Sequence, residues 1–175
     1  MRFKLPFDKR QIRMMEGVIT NKVGCFIHYH DGRIHRTDGP AIIRDDCYVE
    51  WYIHGKRHRT DGPALVSQSG NEEWWVNGEL HRVGGPALTT AGGAKYWIAN
   101  GELHREDGPA IESNSGSRIW YIHGQRHRLD GPAVEDADGS KEWYIHGTKV
   151  DITLIEYDGV RPLTDEETTY LLLAS

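Results

Sequence analysis

The chain has 175 residues, a formal net charge of −5 and a charged-residue content of 27%, a combination typical of one soluble domain. The acidic balance disfavours a broadly basic nucleic-acid-binding protein, and no apolar run reaches the roughly 20 residues of a membrane-spanning helix. Two cysteines are too few for a disulfide scaffold or a thiolate zinc site, and no apolar segment near Met1 resembles a signal peptide, so we expect a cytoplasmic protein.

The first part of the chain is basic and irregular, and we assign residues 1–24 as an N-terminal segment or cap. Cys25 and Cys47 follow at nearly equivalent places in adjacent repeats. Their separation is expected to match a repeat spacing of ~10 Å, which exceeds the reach of a disulfide bond. We therefore predict two free thiols.

Residues 25–150 contain five and a half copies of a 23-residue repeat. Each complete copy carries a His-Arg pair, which begins at His35, His58, His81, His104 and His127. Such a period is typical of repeat proteins in which each unit buries its apolar face against its neighbours. The sixth copy stops halfway, because Val150 and Asp151 stand where the other copies have His and Arg.

The sequence of one repeat predicts two short antiparallel strands. In the second copy, strand alternation places Trp51 and Ile53 on one face and Tyr52 on the other. The His54-Gly55 pair predicts a tight hairpin turn, as do the Asn-Gly and Asp-Gly pairs of other copies. Asp-Gly-Pro-Ala marks a second break before an aliphatic strand. We predict an all-β fold, an elongated array of antiparallel β-hairpin repeats that forms a meander, without helices inside the repeats.

Residues 151–175 are assigned as a C-terminal cap with a helix over about 164–174. Thr164 is the predicted N-cap, and Glu167 three residues later completes a capping box. Tyr170, Leu171 and Leu172 form an apolar patch on this helix. Because a terminal repeat exposes its stacking face, we expect the helix to cover it.

An aromatic residue followed about four residues later by a G-x-x-H motif, repeated every 23 residues, resembles the MORN (membrane occupation and recognition nexus) repeat. The resemblance covers His28 to Gly147, about two-thirds of the chain. The chain differs from that family in the arginine after the histidine and in the Asp-Gly-Pro-Ala segment that follows. The resemblance implies a hairpin array that acts as a scaffold for partner proteins, self-association or lipid contact rather than one activity.

The repeated His-Arg-x-Asp motif has two interpretations. In the structural one, each arginine pairs with the aspartate two residues later, and each histidine packs against an aromatic residue of the neighbouring repeat with one ring nitrogen bonded to backbone. Catalysis would need a unique pocket, which equivalent copies along a sheet do not provide. In the alternative, arginines ~10 Å apart bind phosphates or an acidic partner. We call these candidates for anion binding the arginine row: Arg36, Arg59, Arg82, Arg105 and Arg128. Arg82 differs because Gly84 replaces its aspartate.

Two aromatic columns run through the repeats. We interpret the first column as core: Trp51, Trp74, Trp97, Trp120 and Trp143. The second column points the other way and is the candidate partner-binding surface, which we call the aromatic row: Tyr29, Tyr52, Trp75, Tyr121 and Tyr144. Ile98 interrupts this row. An exposed stripe of this size would be typical of an interaction surface, whereas a strongly curled sheet would cover both columns.

Nearly all of the ten histidines belong to two positions of the repeat, and only His28 and His30 fall outside them. This pattern does not predict a metal site, and we expect no cofactor. The predicted function is a non-catalytic scaffold that binds a partner protein through the aromatic row. The alternative is a protein that sequesters a nucleotide or other phosphorylated small ligand through the His and Arg side chains. An enzyme would require a pocket near Gly84 or at either end, and an uncovered sheet edge near the N-terminus could form a homodimer.

Overall fold

The computed structural model describes residues 17–20, 25–44, 48–155, 159 and 161–175. Most of the predicted N-terminal segment and Cys47 lie outside the described residues, so the prediction of two free thiols stays a prediction. Cys25 is buried. The chain divides into two compact units, Met1–His81 and Arg82–Ser175, which we call the first and the second unit.

The first unit is an antiparallel meander with short hairpin arms. Its strands are β1 (Gly17–Thr20), β2 (Phe26–His30), β3 (Arg33–Ile34), β4 (Ile42–Arg44), β5 (Tyr48–Glu50), β6 (Tyr52–Ile53), β7 (Lys56–Arg57), β8 (Leu65–Val66), β9 (Glu72–Glu73), β10 (Trp75–Val76) and β11 (Glu79–Leu80). The meander has the order β1-β2-β4-β5-β8-β9, with every neighbouring pair antiparallel. The arms are formed by β3 on β2, β7 on β6, and β11 on β10.

The second unit repeats this arrangement and ends in helical turns. Its strands are β12 (Leu88–Thr89), β13 (Lys95–Tyr96), β14 (Ile98–Ala99), β15 (Glu102–Leu103), β16 (Ile111–Glu112), β17 (Arg118–Ile119), β18 (Tyr121–Ile122), β19 (Gln125–Arg126), β20 (Val134–Glu135), β21 (Lys141–Ile145) and β22 (Thr148–Val150). A 3-10 turn (Ile152–Leu154) and helix α1 (Asp165–Leu173) follow. The meander order is β12-β13-β16-β17-β20-β21, with arms β14–β15, β18–β19 and β21–β22.

The hairpin arms close through turns in which both central residues have positive φ. In the second repeat, His54 has φ 47° and Gly55 has φ 80°. This combination defines a type I′ turn, whose twist matches that of the flanking strands. The same pairing of a positive-φ residue with glycine recurs at Asp31, Asn77, Asn100, His123 and His146. The predicted hairpin turns are confirmed.

Each complete repeat contains more strands than the sequence predicted. The second repeat contributes β6 and β7 to an arm and β8 and β9 to the meander. The reason lies at Trp51, whose N–H donates to the Ala64 carbonyl while its own carbonyl accepts from the His58 N–H. The chain therefore changes hydrogen-bond partner at the tryptophan, and one predicted strand is split between the meander and the arm.

Alanines, rather than tryptophans, fill the fully buried column of the repeats. The alanine of each Asp-Gly-Pro-Ala segment has 0% exposure: Ala41, Ala64, Ala87, Ala110 and Ala133. Ala64 lies between two strands, because it donates to the Glu73 carbonyl and accepts from the Trp51 N–H. The predicted tryptophan core is only partly correct, because all five tryptophans are half-buried.

The C-terminal helix covers the end of the array, as predicted. Thr164 caps α1, and Glu167 completes the capping box. Leu171, 1% exposed, packs with Leu163 against Ile145 and Val150 of the last arm. The predicted all-β meander of hairpin repeats with a short C-terminal helix is confirmed. Among the described residues, no helix is long and apolar enough to cross a membrane.

Candidate functional site

The arginine of the His-Arg-x-Asp-Gly-Pro motif is turned inward and held on several sides. In the second repeat, Arg59 Nε donates to Asp61 Oδ1 (2.8 Å), and one of its terminal nitrogens donates to the Pro63 carbonyl (3.2 Å). Its guanidinium carbon lies 4.0 Å from the centre of the Trp51 ring. The same two hydrogen bonds recur at Arg36, Arg105 and Arg128. The predicted local arginine–aspartate pair is confirmed at these four positions.

This conformation presents the carboxylate, not the guanidinium, to solvent. The Arg59 side chain is 24% exposed and that of Asp61 is 82% exposed. The hydrogen bond and the charge of Arg59 hold the pKa of the Asp61 carboxyl below its usual value. Arg82 has no aspartate two residues later, and it donates to the Pro86 carbonyl (3.1 Å). Anion binding by the arginine row stays a prediction.

Within each unit, histidines of the motif couple one arm to the next. His35 Nδ1 accepts from the backbone N–H of His54 (3.1 Å), and the two imidazole rings are 4.5 Å apart. His127 and His146 repeat both contacts, at 3.1 Å and 4.4 Å. Burial, followed by the neighbouring imidazole, lowers the pKa of both His35 and His127. The predicted packing and backbone bond of these histidines are confirmed, and the bond leaves the ring proton on Nε2.

The aromatic row does not form a fully exposed stripe. Tyr29 is buried, at 5% exposure, and Ile98 is buried as well. Tyr52, Trp75, Tyr121 and Tyr144 are half-buried. Of the two alternatives left open by the sequence, the covered column holds at Tyr29, and the other rings are partly covered, because cross-strand partners in the arms pack against them.

In the first unit, a guanidinium lies between two rings of the aromatic row. Arg57 is 5.9 Å from the Tyr52 ring and 5.2 Å from the Trp75 ring. Glu50, only 6% exposed, accepts from Arg57 Nε (2.6 Å) and from the Tyr52 hydroxyl (2.9 Å). Burial, followed by the Glu50 charge, raises the pKa of Tyr52 to about 12. We call Tyr52, Arg57 and Trp75 the first aromatic cluster.

The second unit contains a similar cluster around Arg126. Its Nε donates to the Tyr121 hydroxyl (3.2 Å), and a terminal nitrogen donates to the Tyr144 hydroxyl (3.1 Å). The Tyr144 hydroxyl in turn donates to Glu142 (3.1 Å), which also accepts from Lys149 (2.6 Å). We call Tyr121, Arg126 and Tyr144 the second aromatic cluster.

Sequence reasoning missed the carboxylates and cations that hold these rings. A glutamate stands two residues before three of the aromatic residues, as Glu50, Glu73 and Glu142. Strand alternation places such residues on one face, so the spacing could have identified them. The Trp75 ring nitrogen donates to Glu73 (2.8 Å). The arginines five residues after Tyr52 and Tyr121 face them across the arm.

Open clefts lie beside both rows. A cleft of about 440 Å³ between two arms of the first unit is lined by the first aromatic cluster together with Lys56 and Glu79. On the arginine row, a cleft of about 490 Å³ separates the loops of Arg36 and Arg59, with Trp51 in its wall. Within the described part of the chain, no group of three potential metal ligands comes together. His28 accepts from Arg36 (3.0 Å).

No family model matches the sequence, and no curated protein matches it. The resemblance to MORN repeats therefore stays a prediction.

Proposed function

We propose that the protein is a non-catalytic repeat scaffold that binds a partner protein through the two aromatic clusters on its hairpin arms. The observation that carries the proposal is the interleaving of rings and guanidinium groups, Tyr52–Arg57–Trp75 in one unit and Tyr121–Arg126–Tyr144 in the other. Tyrosine, tryptophan and arginine are the residues enriched at the energetic centres of protein interfaces.

The rings of both clusters are held in place before any partner arrives. Glu50 anchors Tyr52 and Arg57, and Glu142 anchors Tyr144. Binding to side chains that are already ordered loses less conformational entropy, which favours affinity. The cleft of about 440 Å³ beside Trp75 gives a partner side chain room to contact the ring.

The alternative, capture of a phosphorylated small ligand, receives no support from the arginine row. At Arg36, Arg59, Arg105 and Arg128, the inner guanidinium donors already serve an aspartate and a proline carbonyl. A phosphate would have to use the remaining guanidinium donors and approach past exposed carboxylates such as Asp61. A panel of nucleotides should therefore leave the melting temperature unchanged, whereas a ligand at 100 times its Kd would add ~2.7 kcal/mol of stability.

The experiment is affinity capture with the intact chain, followed by titration of the purified partner. The double variant Tyr52→Ala/Tyr121→Ala should lose the partner while its circular dichroism spectrum is retained. Tyr170→Ala removes an equally large aromatic side chain, 52% exposed on α1, and should bind as the wild type does. Equal binding by the wild type and the double variant would refute the proposal.

A further inference from the structure

Each aromatic cluster crosses a junction between two neighbouring arms, and the two junctions have the same backbone. In the first cluster, the guanidinium carbon of Arg57 lies 5.2 Å from the Trp75 ring of the next arm. In the second cluster, that of Arg126 lies 5.0 Å from the Tyr144 ring of the next arm. At both junctions, the carbonyl of this arginine accepts from the glycine N–H of the next turn at 2.9 Å.

The two junctions differ in the residue that faces the motif histidine. His58 Nδ1 accepts from the backbone N–H of Asn77 in the first junction (3.1 Å), and His127 Nδ1 accepts from that of His146 in the second (3.1 Å). Only the second junction therefore has two imidazole rings, which lie 4.4 Å apart at an angle of 29°. Asn77 has φ 52° and His146 has φ 48°, so the turn accepts either residue type.

Proton uptake by His127 removes its bond to the next arm. Because Nδ1 accepts the His146 N–H, the neutral ring carries its proton on Nε2, and an added proton has to go to Nδ1. The new Nδ1–H would then point at another donor. A proton on the His146 ring as well would place two positive charges on rings 4.4 Å apart. Acid therefore breaks a hydrogen bond across this junction and adds repulsion.

The charged groups near His127 already have partners of their own. Five charged residues line the same cleft as His127: Arg105, Glu106, Asp107, Arg128 and Asp130. Asp107 and Asp130 each accept from the arginine two residues earlier at 2.8 Å. Glu106 lies 3.8 Å from the His104 ring. Burial, followed by the His146 ring, lowers the pKa of His127.

On the cluster side of the junction, the charges do not change between pH 7.5 and 5.5. Arg126 keeps its proton, because its hydrogen bond to Tyr121 raises its pKa. The hydrogen bond from Lys149 lowers the pKa of Glu142, which therefore stays ionised. The imidazoles are the groups at this junction that gain charge in this range.

We propose that the His127–His146 pair is a pH-sensitive latch, which holds the two arms of the second aromatic cluster together at neutral pH and loosens them in acid. The first cluster, whose junction has Asn77 in place of the second imidazole, loosens less. Arg126 and Tyr144 lie on opposite sides of the latch, so its opening separates the cation from the ring. Control of partner binding by the latch rests on the proposed function, whereas the latch itself is a property of the free chain and is tested there.

The test is amide hydrogen exchange of the full chain, followed by NMR at pH 7.5 and 5.5, with each rate corrected for intrinsic exchange at that pH. On acidification, protection of the His146 N–H should fall at least about fivefold more than protection of the Asn77 N–H. This factor corresponds to the repulsion of two unit charges about 4 Å apart at the dielectric constant of water. The Tyr144 ring signals should also shift more than the Trp75 indole signal. An equal loss of protection at both amides would overturn the proposal.

Reciprocal substitutions provide matched controls, because each variant carries a residue that the other junction already holds. His146→Asn removes the second imidazole, so the pKa of His127 should rise towards its usual value. The acid-induced loss of protection at residue 146 should then fall to that of residue 77 in the wild type. Asn77→His adds a second imidazole and should make the amide of residue 77 as sensitive to acid as that of His146. Unchanged amide signals in the meander strands establish that both variants fold. If His146→Asn keeps the wild-type sensitivity, or if Asn77→His gains none, the pair is not a latch.

Discussion

Replacing Gly62 with alanine should destabilise the first unit through a single contact. A Cβ at Gly62 would lie 2.6 Å from the guanidinium carbon of Arg59 and 2.8 Å from one of its terminal nitrogens. The φ of Gly62 is outside the left-handed region, so backbone strain is not the cause. The guanidinium has to leave the slot between Gly62 and the Trp51 ring, together with its bond to the Pro63 carbonyl.

The expected loss is about 2 kcal/mol. A hydrogen bond from a charged donor contributes ~1.5–3 kcal/mol, and a partly desolvated cation over a tryptophan contributes ~0.5–2 kcal/mol. Part of the lost interaction energy is offset because the displaced Arg59 guanidinium can form hydrogen bonds with water. Alanine also lowers the conformational entropy of the unfolded chain relative to glycine, which stabilises the folded state by ~0.4–1 kcal/mol. The control Gly92→Ala meets the Asn114 amide nitrogen at 3.2 Å, at the end of a flexible side chain, and should stay within ~0.5 kcal/mol.

Urea denaturation of a double-mutant cycle tests this reasoning. With Arg59→Ala already present, the slot is empty, and Gly62→Ala should be neutral or slightly stabilising. The destabilisation caused by Gly62→Ala should therefore disappear or reverse in the Arg59→Ala background, with a coupling free energy of about 2 kcal/mol. The same loss in both backgrounds would refute the claim that glycine is present to accommodate the arginine.

Three further predictions concern pH, a buried carboxylate and the helix cap. The pKa of His127 is lowered in the folded state, so the unfolded chain binds more protons than the folded chain as the pH falls towards ~6.5 and below. The free energy of unfolding should therefore drop between pH 7.5 and 5.5. The drop should be smaller in His127→Asn. A thermal melt that is independent of pH would contradict this. Glu50→Ala leaves Arg57 and Tyr52 without their acceptor and should cost about 2–3 kcal/mol in a urea melt, against ~0.5 kcal/mol or less for the exposed Glu72→Ala. Thr164→Ala removes the cap of α1 and should cost ~1 kcal/mol, seen as faster amide exchange at Glu167; unchanged exchange would rule the cap out.

Local features of the fold could be predicted from the sequence, because they depend on residues close together in the chain. The 23-residue period identified the repeat. Turn pairs such as His54-Gly55 identified the hairpins, since positive φ at both positions is a local property. Thr164 and Glu167 identified the start of the C-terminal helix for the same reason.

The position of each side chain relative to solvent required the tertiary structure. Strand alternation placed Tyr29 and Tyr52 on one face, but it could not show that Tyr29 is buried or that Arg57 and Glu50 hold the ring of Tyr52. Likewise, the spacing of arginine and aspartate predicted their pairing, but it could not show which of the two side chains is exposed to solvent.

The candidate sites depend on the same distinction. The sequence records that Asp151 stands where the complete repeats have arginine, but only the structure shows that Trp143 packs with Ile152 and Ile155 at the end of the array. The physical reason is that a turn or a cap depends on backbone geometry over a few residues. Burial, ring stacking and an open cleft depend instead on which atoms from separate parts of the chain come into contact.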